Sequence, residues 1–231
     1  MATTAELNPD LNVINPPPAE DNGSVILANP TGIVAGTNAL VLIESFLGDG
    51  PFGDTQGDFD YYQIDVAPGE RIVIHLDERA YSGLDGVITI FNAAGIETVS
   101  NVDLDGYESY LSFDAVSNGT HFIRVRKFGN TQTNVNDSGS GSGTAVPKND
   151  YRLWINKGPV TTAATNGGQL INGTTSDDLL FGAGGADVLN GGVGNDVLIG
   201  GSGNDTINGG DGNDSVIWKK NIGSGANGGG S

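Results

Sequence analysis

The chain has 231 residues, of which 38 are glycine, and 28 acidic against 10 basic residues give it a net charge of -18. This charge repels phosphate backbones and anionic lipid, so binding to nucleic acid or to a membrane surface is not expected. The absence of cysteine excludes disulfides, thiolate metal sites and a cysteine nucleophile. No apolar run approaches the roughly 18 residues of a membrane span.

Residues 1–24 are polar and include three consecutive prolines, Pro16–Pro18. They contain too little apolar surface to fold alone, so we expect an extended leader. The N-terminus lacks the basic and apolar regions of a secretory signal peptide, so if the protein is exported we expect its signal to be missing from this sequence or to lie elsewhere.

Residues 25–157 contain short β-type runs separated by Gly, Asp and Asn. In the clearest run Ile72, Ile74 and Leu76 lie on one face. No helical pattern separates the runs, which predicts an antiparallel β-sandwich. The Gly/Ser-rich stretch 128–149 is expected to form a long mobile hairpin loop. The other predicted strands are 62–66, 87–91, 110–113, 121–125 and 151–155.

Two acidic loops of this region are candidate calcium sites. Asn101, Asp103 and Asp105 place oxygen ligands at alternate positions before a glycine. Asp60 ends a second acidic loop and directly precedes residues predicted to be buried. One or more calcium ions in the sandwich are therefore predicted, with a solvated acidic turn as the alternative. Tyr107, between acidic residues, is a candidate ligand-binding residue.

No catalytic constellation is evident. His75 and His121 are the only histidines, and both fall in strand patterns, where a surface or edge position is expected. The sequence contains no metalloprotease, serine-hydrolase or nucleotide-binding glycine-loop motif. The sequence therefore predicts a protein that is not an enzyme.

After a linker at 158–168, residues 169–218 follow a nine-residue repeat. The last three repeats contain Gly-Gly-x-Gly-Asn-Asp in full. The sixth position is always aspartate and the eighth always aliphatic. The aspartates are Asp178, Asp187, Asp196, Asp205 and Asp214, and the aliphatic residues are Leu180, Leu189, Leu198, Ile207 and Val216.

The composition of the repeat favours a hard cation. Glycines allow tight turns whose carbonyls point inward, and carbonyl and carboxylate oxygens suit Ca²⁺. Carboxylates stacked about 5 Å apart repel each other by roughly 3 kcal/mol per pair at an effective dielectric of 20. No Lys or Arg lies between Lys157 and Lys219 to neutralise them. We therefore expect metal binding to drive folding. A disordered glycine-rich tail is the alternative, and the periodic aspartates disfavour it.

These repeats resemble the calcium-binding nonapeptides of RTX proteins, which form a parallel β-roll. The resemblance implies that turns two repeats apart share an ion, which pairs Asp178 with Asp196, Asp187 with Asp205, and Asp196 with Asp214. Five repeats would hold about three Ca²⁺ ions. Thr174 and Ser176 replace glycine in the first repeat, which implies a cap with a weakened site. Further ligands implied are Asn195, Asn204, Asn213, Gly191, Gly200 and Gly209.

Residues 25–157 resemble the bacterial pre-peptidase C-terminal (PPC) domain in the order of segments 57–62, 67–70, 84–86 and 119–125. That family is a non-catalytic sandwich attached to secreted peptidases and other extracellular proteins, and similar sandwiches bind peptides in RTX adhesins.

The fold expected for the whole chain is all-β, a jelly-roll-like antiparallel sandwich followed by a short parallel β-roll. The function expected is that of an extracellular or cell-surface calcium-binding module with a peptide or protein ligand, exported by type I secretion. The alternative is the accessory C-terminal region of a secreted hydrolase. Residues 219–231 are expected to be a flexible tail.

Overall fold

A computed structural model describes residues 12–14, 21–47, 58–78, 84–103, 109–142, 149–158 and 165–217. The chain divides into two compact units, of which the first spans Asn12–Lys157 and the second includes the residues from Gly158 onward. Both units are built from β-strands, and the described residues add one short 3₁₀ helix, Ser138–Ser140. The all-β fold predicted from the sequence is confirmed.

The first unit is a sandwich of two sheets. Its strands are β1 (Asn12–Ile14), β2 (Asn29–Pro30), β3 (Ala39–Leu47), β4 (Phe59–Val66), β5 (Arg71–Glu78), β6 (Gly86–Asn92), β7 (Glu97–Ser100), β8 (Val102–Asp103), β9 (Ser109–Asp114), β10 (Gly119–Lys127), β11 (Thr131–Gln132), β12 (Gly141–Ser142) and β13 (Asn149–Lys157). One sheet has the order β1-β3-β13-β5-β9-β8 and the other β2-β4-β10-β6-β7, while β11 and β12 form a small hairpin. Pairing is antiparallel except where β1 joins β3 and β2 joins β4.

The core of the sandwich lies between the two sheets, where alternate residues of facing strands meet. Ile64, Ile74, Ile90, Ile123 and Leu153 are fully buried in one cluster. Their strands are the ones that the alternating pattern predicts, because a side-chain period of two places every second residue on the inner face.

Two parts of the first unit differ from the sequence expectations. Asn12–Ile14, inside the predicted leader, pairs in parallel with Val41–Ile43 of β3. In the predicted mobile loop, Gln132 Nε2 donates to the Gly23 carbonyl at 2.7 Å. The Val25 N–H donates to the Val135 carbonyl at 2.9 Å. The described part of this loop is therefore bonded to the body of the sandwich.

The second unit is a parallel roll. Its strands are β14 (Leu170–Asn172), β15 (Leu179–Phe181), β16 (Val188–Val193), β17 (Val197–Ile199), β18 (Thr206–Asp211) and β19 (Ser215–Ile217). They form two parallel sheets, β14-β16-β18 and β15-β17-β19. Leu179 pairs with Val197 and Val197 with Ser215, so one full coil takes two nonapeptides.

Position eight of the repeat fills the inside of the roll. Leu180, Leu189 and Leu198 are buried in one cluster with Ile171, and Ile207 and Val216 pack against it. The aliphatic positions predicted from the repeat are confirmed. Thr165, inside the predicted linker, forms a parallel bridge with Ala183, so coil pairing is already present there.

Candidate metal centre

The turns between the strands of the roll depend on glycine. Gly192 and Gly194 have φ of 112° and 139°, a region that L-residues rarely adopt. With these conformations the chain reverses direction within a few residues between β16 and β17. The same positions of the next two repeats are also glycines with positive φ. Each turn therefore places its aspartate next to the aspartate of the neighbouring coil.

The aspartates form two columns, one at each edge of the roll. The Asp178 N–H donates to Asp196 Oδ1 at 2.9 Å, and the Asp196 N–H donates to Asp214 Oδ1 at 3.0 Å. In the other column the Asp187 N–H donates to Asp205 Oδ1 at 3.0 Å. One carboxylate oxygen of each acceptor is therefore used to join consecutive coils.

The second carboxylate oxygen, Oδ2, takes no part in these bonds between coils. Asp187 Oδ2 and Asp196 Oδ2 are buried and have no hydrogen-bond partner among the described residues. A buried polar atom without a partner costs free energy, and its presence indicates a ligand or water at that position.

Each of these atoms lies close to a glycine and to a backbone carbonyl oxygen of the neighbouring coil. A Cβ placed on Gly182 would be 2.7 Å from Asp187 Oδ2 and 2.5 Å from the Gly200 carbonyl oxygen. A Cβ on Gly191 would overlap Asp196 Oδ2 and the Gly209 carbonyl oxygen in the same way. We call each such position, beside a glycine and between a carboxylate and a carbonyl oxygen, an oxygen cradle. The described turns form three of them, whose carboxylate and carbonyl oxygens come from Asp178 with Gly191, Asp187 with Gly200, and Asp196 with Gly209.

The electrostatics of the cradles favour a cation. Burial raises the pKa of Asp196 to about 6, and the carboxylates of Asp178 and Asp214 add to this effect. Burial also raises the pKa of Asp178 and of Asp187. Each shift means that burial disfavours the ionised carboxylate. A bound cation would reverse that preference.

The donor set fits calcium. Carboxylate and backbone carbonyl oxygens line the cradles, and Ca²⁺ takes six to eight such ligands in flexible geometry, whereas Mg²⁺ requires a near-ideal octahedron. Among the described residues no three His, Cys, Asp or Glu side chains converge on one point. Backbone carbonyls would therefore have to supply much of the coordination, with Asp187 and Asp196 supplying charge.

The asparagines predicted as ligands occupy the neighbouring position of the turns. Asn195 Oδ1 accepts the Asn213 N–H at 3.0 Å, and the Asn195 N–H donates to Asp177 Oδ1 at 2.7 Å. The side chains of Asn204 and Asn213 are exposed. Position five thus contributes a second link between coils. Asp177, which was not predicted, holds the same fifth position in the first repeat, and that position is the signal that would have identified it.

The predicted sites in the sandwich have a different setting. Asp60 is 1% exposed, and its Oδ2 accepts a hydrogen bond from the Tyr151 hydroxyl, which lies 2.5 Å from the Tyr62 hydroxyl. Burial raises the pKa of Tyr151, so its hydroxyl stays a donor. Asn101 is half-buried, and its N–H donates to the Ile88 carbonyl at 2.8 Å. Asp105, Tyr107 and the side chain of Asp103 lie outside the described residues.

The histidines are not at the surface. His75 is fully buried and His121 is 3% exposed, so the surface or edge position expected for them was wrong. The His121 ring packs 5.3 Å from the ring of Phe113. Among the described residues no helix is long and apolar enough to cross a membrane.

A sandwich joined to a roll with stacked aspartates and glycine turns defines an all-β protein with a repeat-built calcium site. The comparisons with known families agree. Residues 58–127 match the bacterial pre-peptidase C-terminal domain, and residues 164–198 and 191–217 match the RTX calcium-binding nonapeptide repeat. The chain therefore carries a PPC domain followed by RTX repeats, both of them non-catalytic types. No curated protein matches the sequence.

Solved structures similar to this chain are distant in sequence. The pre-peptidase C-terminal domain of a Bacillus anthracis collagenase is 18% identical, with a TM-score of 0.36 over 55% of this chain and 93% of that one. PliG of Aeromonas hydrophila, a periplasmic inhibitor of g-type lysozyme, is 12% identical, with a TM-score of 0.34 over 57% and 99%. A PliG mutant of Escherichia coli is 16% identical, with a TM-score of 0.28 over 57% and 100%.

Proposed function

We propose that this chain is a non-catalytic extracellular module whose roll folds when it binds Ca²⁺. The observation that carries the proposal is the pair of buried oxygens, Asp187 Oδ2 and Asp196 Oδ2, that face oxygen cradles without a hydrogen-bond partner. At neutral pH the charge of these carboxylates is costly to bury in the folded roll, and this cost favours the unfolded state. A divalent cation neutralises the charge, so its binding free energy becomes folding free energy.

Mass action determines how the folding of the roll depends on the Ca²⁺ concentration. A ligand that binds only the folded roll stabilises it by RT ln(1 + [Ca²⁺]/Kd). Extracellular calcium modules have Kd values of about 10⁻⁴ to 10⁻³ M, far above the cytosolic concentration of the ion. The roll would therefore stay unfolded before export and fold outside, which supports type I secretion and an extracellular or cell-surface location.

The sandwich is proposed to recognise a peptide or protein. The PPC match supports a role as an appended domain, and it also supports the alternative that this chain is the accessory region of a secreted hydrolase. A pull-down with immobilised peptides in Ca²⁺ and in EDTA discriminates between the two. Calcium-dependent capture favours recognition, whereas enhancement of a hydrolase supplied in trans, without capture, favours the accessory role.

The test of calcium-driven folding is a calcium titration of the full chain, followed by far-UV circular dichroism. We expect strand signal to increase with Ca²⁺, to disappear with EDTA, and to respond weakly to Mg²⁺. The Asp187→Asn/Asp196→Asn variant should lose the response, because the amide oxygens carry no charge. Asp211→Asn is the matched control, since Asp211 is exposed on β18 and lines no cradle. An ordered roll in EDTA at neutral pH, or no response in millimolar Ca²⁺, contradicts the proposal.

A further inference from the structure

The first turn of the roll has a different backbone from the turns that follow. The second position of the later repeats has positive φ, from 66° at Ala183 to 112° at Gly192. The fourth position behaves in the same way, with φ of 119° at Gly185 and 139° at Gly194. Thr174 and Ser176 hold these two positions in the first repeat, and neither has positive φ. The first turn is therefore formed without the glycine geometry.

Thr174 instead bonds to the aspartate of its own turn. Its N–H and its hydroxyl donate to Asp178 Oδ2 at 2.6 and 2.9 Å. The same hydroxyl oxygen accepts the Ser176 N–H at 3.2 Å. This threonine therefore closes the turn through its side chain, as a Ser/Thr turn does.

Thr174 donates to Asp178 Oδ2. The equivalent carboxylate oxygen in each of the other two cradles accepts no hydrogen bond from the described residues. A Cβ on Gly173 would lie 2.9 Å from Asp178 Oδ2, so this oxygen borders the first cradle. Its equivalents, Asp187 Oδ2 and Asp196 Oδ2, have no hydrogen-bond partner among the described residues. Asp178 Oδ1 is buried and has no hydrogen-bond partner among the described residues, and it corresponds to the oxygen that joins coils in the later aspartates.

We propose that Thr174 takes the place of a metal ion in the first cradle, so that the roll binds calcium at only two of its three cradles. This inference rests on the proposed calcium-dependent folding and specifies how many ions it requires. Two donors from Thr174 satisfy Asp178 Oδ2 and block access to it. The first coil is then closed without metal, as a terminal repeat that caps a stack.

The test counts ions bound to the full chain by equilibrium dialysis with ⁴⁵Ca²⁺. Each variant is compared with the unsubstituted chain, so any ions bound by the sandwich cancel. We expect Asp187→Asn to lose one ion and Asp178→Asn to lose none. Thr174→Gly, which restores the consensus residue, should gain one. Thr174→Ser keeps both donors and should leave the count unchanged.

The outcomes separate this inference from the proposed function. Loss of one ion from both aspartate variants, or no gain in Thr174→Gly, overturns the assignment to Thr174 and leaves calcium binding intact. If Asp196→Asn, measured in the same way, and both other aspartate variants all keep the full count, calcium binding by the roll is overturned, and the inference with it. Circular dichroism in saturating Ca²⁺ checks that each variant folds, and an aspartate variant that fails to fold is replaced by the corresponding Ala variant, which also removes the carboxylate.

Discussion

Gly191 lies so close to Asp196 that a Cβ on the glycine would overlap the Oδ2 atom of the carboxylate. The same Cβ would also overlap the carbonyl oxygen of Gly209 on the next coil. The absence of a side chain at Gly191 is thus what allows a buried carboxylate and a carbonyl oxygen to approach the backbone here. Gly191 therefore has a steric role in the cradle in addition to any carbonyl that it contributes to a metal.

Gly191→Ala should raise the calcium concentration at the folding midpoint by about two- to tenfold, since overpacking typically costs about 1–3 kcal/mol, about 1.4 kcal/mol is a factor of ten in the equilibrium constant, and folding is coupled to two ions. The measurement is a calcium titration by circular dichroism. Gly167→Ala is the matched control, because a Cβ there meets nothing within 4 Å and the residue has no positive φ. Equal midpoints for the two variants would contradict the steric role.

Ala183 is the one described non-glycine residue with positive φ, at 66°. We expect Ala183→Gly to change the stability of the roll by less than about 1 kcal/mol, because relief of about 1–2 kcal/mol of strain is offset by the chain entropy of glycine and by the loss of a fully buried methyl group. The reverse change at the equivalent position, Gly201→Ala, should destabilise it strongly, since its Cβ would overlap the Ala183 carbonyl. Urea unfolding in saturating Ca²⁺ measures both, and a loss for Ala183→Gly as large as that for Gly201→Ala would count against the strain.

The repeat predicted much of the roll because its signal is local and periodic. Aspartate at position six and an aliphatic residue at position eight determine which side chains reach the edge and the core. The engagement of Asp178 by Thr174 could not be predicted in detail, since it depends on two hydrogen bonds within one turn.

For the sandwich, the sequence predicted where strands lie but not the order in which they pair. Alternation identified the strand residues Ile72 and Ile74, but which strands are neighbours depends on contacts distant in sequence. Asp60 illustrates the difficulty, because nothing local indicates that its carboxylate meets the Tyr151 hydroxyl from a strand about 90 residues away. His75 was misplaced for a related reason, since alternation does not show that the other face of its strand is also buried.

Lys157, at the end of β13, is a buried cation held by one carboxylate. Its side chain is 1% exposed, and Nζ donates to Glu70 Oε1 at 2.7 Å. Glu70→Gln should destabilise the sandwich by about 3–5 kcal/mol, because it leaves the ammonium buried without a counter-charge. Lys157→Met should cost much less, since it removes the buried charge itself. Thermal unfolding followed by near-UV circular dichroism measures both, and equal losses would contradict the asymmetry.

The same pair gives the sandwich a defined acid response. Partial burial acts to raise the pKa of Glu70, but bonds from Lys157 Nζ and from the N–H groups of Ala67 and Gly36 outweigh it, and the pKa lies below its usual value of 4.5. A carboxyl with a lowered folded-state pKa stabilises the fold fully above its unfolded pKa and loses that contribution as pH falls through the folded value. We therefore expect stability to be constant with respect to this group above about pH 5.5 and to fall below about pH 4.5. Urea midpoints measured from pH 7 to pH 3 test this, with Glu70→Gln as the comparison, since it removes the group that titrates. If the difference between the two proteins stays the same across that range, Glu70 does not titrate with a lowered pKa in the folded state.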